Sequence, residues 1–131
     1  MSGESVAWEI AGCNDEITAA LGHGPSIMRP VGGAYNETVA ANVGLPMIIW
    51  SLDTQDWRYR DSAHVASAIL DNVSDGDIIL MHDLYSSTAD AMDIVIPELV
   101  RRGYTLVTVS EMAEARGLNL QAGSAYYSVR P

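Results

Sequence analysis

The chain has 131 residues, enough for one domain or for part of a larger one, and its 48% hydrophobic content supplies a core and excludes a disordered chain. Seventeen acidic residues against seven basic ones give a formal net charge of -10, which argues against nucleic acid or an anionic membrane surface as partner. The single cysteine, Cys13, excludes an internal disulfide, and neither a leader-like start nor a bilayer-length apolar run is present, so no localisation is assigned.

In chain order, Val6, Ile10, Cys13, Ile17 and Leu21 recur at steps of three and four, which predicts a helix with Ser2 as N-cap and Gly22 as stop. "SIMRP" is a short strand signal closed by Pro30 and by Gly32 and Gly33. Asn36 can cap a second helix ending near Gly44, and "PMIIWSL" then has the continuous apolar character of a buried strand. After the polar loop "DTQDWRYRD", the pattern predicts a helix from Ser62 to Val73, a strand at "DIILMH", and a longer helix from Thr88 to Arg102 that Pro97 should kink. "YTLVTVS" is the last clear strand, followed by a short helix from Glu111 to Arg116 and an irregular tail. Apolar strands separated by amphipathic helices define an α/β chain, with four parallel strands alternating with helices.

In such folds reactive groups collect where strands end, because loops there vary above a rigid sheet. The first strand ends at Arg29, the second runs into Asp53 and Asp56, and the third ends at His82. An imidazole titrates near neutrality and can act as general acid or base if a carboxylate holds its tautomer, and Asp56 and Asp83 are both candidates for that carboxylate. Read by themselves, Asp53 and Asp56 also fit a solvated loop in which one acid caps a turn. Arg29 and its glycine pair fit either an anion-facing turn or a simple ion-paired loop. Trp57 beside Asp56 suits a surface on which a sugar or acyl group stacks. His23, His64 and His82 are far apart, and no two stand at ligand spacing, so no local metal site can be written.

"RPVGGAYN", "WSLDTQDW" and "IILMHD", in this order and at these separations, resemble three motifs of the polysaccharide deacetylases, the NodB-homology group or carbohydrate esterase family 4. "ELVRRGYTLVTVSEM" resembles the closing helix and strand of that family. The resemblance implies the C-terminal part of an irregular (β/α) barrel and a metal-dependent hydrolase that removes acetyl groups from acetylated polysaccharides such as chitin, peptidoglycan or acetylxylan. It further implies that Arg29 is the motif arginine that pairs with an aspartate base, that His82 is the general acid, and that Asp56 is its supporting carboxylate. Leu80 matches the residue lining the acetyl methyl pocket, Trp57 a groove wall, and Gly32 the position whose amide helps hold the oxyanion.

The sequence departs from the family pattern in two places. Val31 and Gly32 stand where a proline and a bulky residue are usual, and nothing resembles the aspartate-bearing "TFDDG" motif or the histidine pair that complete the metal site. Residues 1–131 are therefore expected to form a partial deacetylase domain that begins just past the metal-binding motifs. The complete family domain would use zinc or another divalent metal, with none expected on this chain alone, which should be inactive by itself. A homodimer, or a second chain completing the barrel, is the expected assembly, with an acetylated polysaccharide as the other partner. A non-catalytic carbohydrate-binding or scaffold remnant of the same fold is the alternative.

Overall fold

Residues 1–130 are described in a computed structural model, and they divide into two units. One comprises Met1–Ile49 with Asn119–Tyr126, and the other Trp50–Leu118 with the residues from Tyr127 onward.

In the first unit, helix α1 (Gly3–Leu21) begins and ends where its sequence directs. The Ser2 hydroxyl accepts the Ser5 N–H at 3.2 Å, and Gly22, at φ +80°, closes the helix by donating its N–H to the Thr18 carbonyl at 2.8 Å. The expected apolar face is mostly uncovered: Val6 is buried, Ile10 and Ile17 are half-buried, and Cys13 and Leu21 are exposed. Helix α2 (Glu37–Asn42) packs against α1 and is capped by Asn36, whose side-chain oxygen accepts the Val39 N–H at 3.0 Å. "SIMRP" does not form a strand. It makes one parallel bridge, Met28 to Met47, because Pro30 has no N–H to extend a ladder. Strand β1 (Met47–Ile48) is buried and pairs in parallel with a strand from the region predicted to be irregular.

In the second unit, strand β2 (Leu52–Asp53) pairs in parallel with β3 (Ile79–Leu80), Leu52 opposite Ile79 and Asp53 opposite Leu80. The predicted single strand "PMIIWSL" is thus two short strands, one in each unit. The polar loop contains a one-turn helix, α3 (Asp56–Tyr59). Helix α4 (Ser62–Leu70) is capped by Asp61, whose Oδ1 accepts the His64 N–H at 2.7 Å, and it packs along helix α5 (Ser86–Arg101), which continues through Pro97. Val65, Ala66 and Ile69 of α4 meet Ala91, Val95 and Leu99 of α5 over Leu52, forming the buried core of this unit. Each large aliphatic side chain there contributes roughly 1.5–3 kcal/mol through burial, so this core fixes β2 and β3 beneath the loops that follow them. Helix α6 (Val109–Ala115) starts in a capping box, with Thr108 and Glu111 serving each other's backbone N–H.

Four parallel strands were expected, but the ladders are two parallel pairs, and strand β4 (Ala125–Tyr126) is the unexpected partner of β1. "YTLVTVS" is a further correction. Thr105, Leu106 and Val107 form no hydrogen bond among the described residues, and Leu106 and Val107 are about half exposed. Apolar alternation favours an extended backbone, but a strand also needs a neighbour for its N–H and C=O groups, and no segment of this unit supplies one. A cavity of about 300 Å³ lies between residues 74–79 and 104–109. No helix among the described residues is long and apolar enough to cross a membrane.

Candidate functional site

The end of β2 and the end of β3 are tied together by Thr54. This residue is fully buried, and its hydroxyl donates to the Leu80 carbonyl at 2.9 Å. That tie brings α3 beside residue 82. The turn into α3 is held by Asp53, whose Oδ1 accepts the Gln55 N–H at 2.9 Å, so Asp53 serves a turn, as one of its sequence readings allowed. Gln55 and Arg60, which flank α3, are the non-glycine residues with positive φ among those described, at 53° and 48°. Each such residue costs on the order of 1 kcal/mol, a strain accepted where the turn must present its first residue inward.

That first residue is Asp56, which is completely buried. Its Oδ1 accepts from His82 Nδ1 at 2.8 Å and from the Trp57 N–H at 2.9 Å. Its Oδ2 accepts from the His82 backbone N–H at 2.6 Å and from the Thr88 hydroxyl at 2.8 Å. Burial pushes the carboxyl pKa up, but the bonds from the His82 side chain, the His82 backbone and Thr88 together outweigh it and hold the group below its ordinary value. An ionised carboxylate only accepts, so the Nδ1 it faces carries the proton, and Nε2 is left without a partner among the described residues. The His82 side chain is 31% exposed, while the Asp56 carboxylate it bonds is fully buried. Tyr85 meets the His82 ring edge-on at 6.1 Å, and the Arg60 guanidinium lies 4.9 Å over Tyr85.

The sequence-predicted residues divide between the units. Asp56, Trp57, Leu80 and His82 are in the second, with Asp56 and His82 in direct contact, Leu80 buried in β3 and Trp57 half exposed. Asp83, the other candidate carboxylate, is exposed, and it is Asp56 that takes the imidazole. Arg29 and Gly32 are in the first unit. Arg29 is exposed and pairs with no carboxylate among the described residues, and Gly32 sits at φ +61° in a one-turn 3₁₀ helix (Val31–Gly33) with its N–H unbonded. His64 is half-buried, and its ring centroid lies 4.0 Å from that of Tyr59, the two planes tilted by 36°. The residue that sequence reasoning missed is Thr88, read there as the start of a helix. The signal was a hydroxyl six residues past the histidine in the first turn of that helix, where one turn of backbone turns it back toward the strand end.

Among the described residues no group of three or more His, Cys, Asp or Glu side chains could hold a metal ion, so these residues do not fit a resident divalent metal.

No protein-family model matches the chain. It is 42% identical over 106 residues to a peptidoglycan-N-acetylglucosamine deacetylase of Listeria monocytogenes, an alignment covering 81% of this chain and 22% of that protein. It is 32% identical over 108 residues to a peptidoglycan-N-acetylmuramic acid deacetylase of Bacillus subtilis, covering 82% of this chain and 23% of that protein. Among solved structures, a family 4 acetyl xylan esterase from Clostridium thermocellum, in complex with a cobalt ion, superposes with a TM-score of 0.92 at 32% identity, covering all of this chain and 66% of that one. The chain belongs to the polysaccharide deacetylases, the NodB-homology group of carbohydrate esterase family 4. It spans about a fifth of the length of these two peptidoglycan deacetylases.

Proposed function

We propose that this chain carries the general-acid half of a site that removes acetyl groups from an acetylated polysaccharide. The observation that carries the reading is the buried Asp56–His82 pair, which fixes Nδ1 inward and leaves Nε2 facing outward at the end of β3. When the tetrahedral adduct of an acetylated amine or alcohol collapses, its C–N or C–O bond breaks and the electron pair stays on the leaving atom. That atom takes a proton from Nε2 of the imidazolium, while Asp56 balances the ring's charge and holds its orientation. Trp57 provides a stacking wall for the sugar and Leu80 borders the acetyl methyl, while Gly32, in the first unit, keeps free the N–H to which the family resemblance gives an oxyanion role. Arg29 is the partner of a base supplied from outside these residues. The family's divalent metal finds no fitting group here, and no step is assigned to it.

By itself the chain is therefore expected to release no acetate from an acetylated chitooligosaccharide, while binding it at Trp57 and His82. Acetate release and backbone chemical shifts on addition of the oligosaccharide test this together. Turnover by the chain alone would overturn the half-site, and unmoved Trp57 and His82 signals would overturn the sugar site. A second reading, a non-catalytic carbohydrate-binding remnant, is favoured by the missing three-ligand group combined with a half-exposed Trp57. It predicts the same binding but no gain of activity when a polypeptide bearing the absent motifs is added.

The unbonded backbone of residues 105–107 supports association, as a homodimer or with a second chain that adds a strand. A monomer by light scattering across a wide concentration range would refute association.

A further inference from the structure

Thr88 lies in the first turn of α5, is 4% exposed, and donates its hydroxyl to Asp56 Oδ2 at 2.8 Å. A threonine inside a helix commonly returns this proton to a carbonyl three or four residues back. Here the Tyr85 carbonyl three residues back is instead bonded by the Thr88 and Ala89 N–H groups, and the hydroxyl reaches across to α3.

The consequence lies in how Asp56 divides its four bonds. Oδ1 faces the imidazole and the Trp57 N–H, while Oδ2 faces the His82 N–H and the Thr88 hydroxyl, and of these four bonds the one from Thr88 is the fully buried one. The χ2 torsion of a carboxylate is broad and nearly two-fold, so packing alone fixes it poorly. With one internal donor the plane can swing about the His82 N–H; with two it cannot turn without abandoning a buried hydroxyl.

We propose that Thr88 is a positioning residue for the site. Its hydroxyl locks the plane of the Asp56 carboxylate, and through that plane it holds His82 in the Nδ1–H tautomer with Nε2 outward. The catalytic consequence rests on the general-acid reading of His82, but the positioning itself does not. The groups facing the pair are Tyr85 at the ring edge, Arg60 beyond it, and Thr88 from α5.

The test is NMR of the ¹⁵N-labelled, sugar-free full chain, following the His82 ring nitrogens and the Nδ1–H proton in the parent, Thr88→Ser, Thr88→Val and Thr88→Ala. The parent and Thr88→Ser should give a protected Nδ1–H signal and a dominant Nδ1–H tautomer. In Thr88→Val and Thr88→Ala, losing a bond to a charged acceptor should speed exchange of that proton by roughly tenfold to a hundredfold and mix the tautomers. The amides of the α4–α5 core are the control, because a purely structural role would change their exchange equally. Thr88→Ala, which puts no apolar methyl against the carboxylate, keeps the test open if Thr88→Val does not fold. A parent-like Nδ1–H signal in either folded variant, or equal acceleration throughout the core, would overturn the proposal. Failure of the general-acid reading shows elsewhere, as an acetylated oligosaccharide that leaves His82 unmoved.

Discussion

Replacing Asp56 by alanine removes the acceptor of four hydrogen bonds at once. One of the stranded donors, the His82 ring, recovers water, since that side chain is 31% exposed. The Thr88 hydroxyl, on a residue 4% exposed, does not, and a buried donor left unpaired costs about 1–3 kcal/mol. With the part-buried N–H groups of Trp57 and His82 also losing their acceptor, the expected loss is about 3–5 kcal/mol. For a domain of this size that is a fall of about 10–20 °C in Tm, large against a total stability of about 5–15 kcal/mol. Urea unfolding followed by circular dichroism at pH 7 measures it.

The pH dependence has a definite sign. The folded carboxyl titrates below its ordinary value, so its stabilisation is fully present above the unfolded pKa of about 3.9 and is lost as pH falls through the lower, folded one. The gap between parent and Asp56→Ala should therefore be constant from pH 7 to about 5 and narrow below about 4. A loss under about 1 kcal/mol at pH 7, or a gap indifferent to acid, would refute this account of the site.

Three further outcomes are expected. Gly76 has φ +83°, and an added Cβ would strike the Val129 carbonyl and the Arg116 guanidinium, so Gly76→Ala should cost more than about 2 kcal/mol by urea unfolding, and a neutral result would mean that this turn is misplaced. Thr108→Ala removes the capping box of α6 and should cost about 1 kcal/mol with faster hydrogen exchange at Glu111 and Met112, whereas unchanged exchange would deny the cap its role. Arg101 and then Arg102 hold the Glu98 carboxyl down to about 2, so its stabilisation persists through mild acid and is lost as pH falls toward that value. A carboxyl NMR titration centred at the ordinary glutamate value would contradict the pairing, and high salt should raise the midpoint because the arginines are exposed.

Local chemistry was readable along the chain because it depends on neighbours a few residues away. Ser2 and Gly22 bound α1, and Asn36 caps α2. The motifs carrying Asp56 and His82 were equally visible, and the two residues do meet.

What the sequence could not supply was pairing between distant segments. "YTLVTVS" has every local mark of a strand but finds no neighbour, while Ala125–Tyr126, with no such mark, becomes one because Met47 presents it a free edge. By residue type alone Asp53, Asp56 and Asp83 look alike, and it was the motif resemblance that singled out Asp56. The tertiary structure supplies the physical reason, since turn closure takes Asp53, solvent takes Asp83, and burial against His82 and Thr88 makes Asp56 the carboxylate bonded to the imidazole. Thr88 stayed hidden for the same reason. A hydroxyl's partner is set by which helix packs beside it, and that is decided by the α4–α5 core.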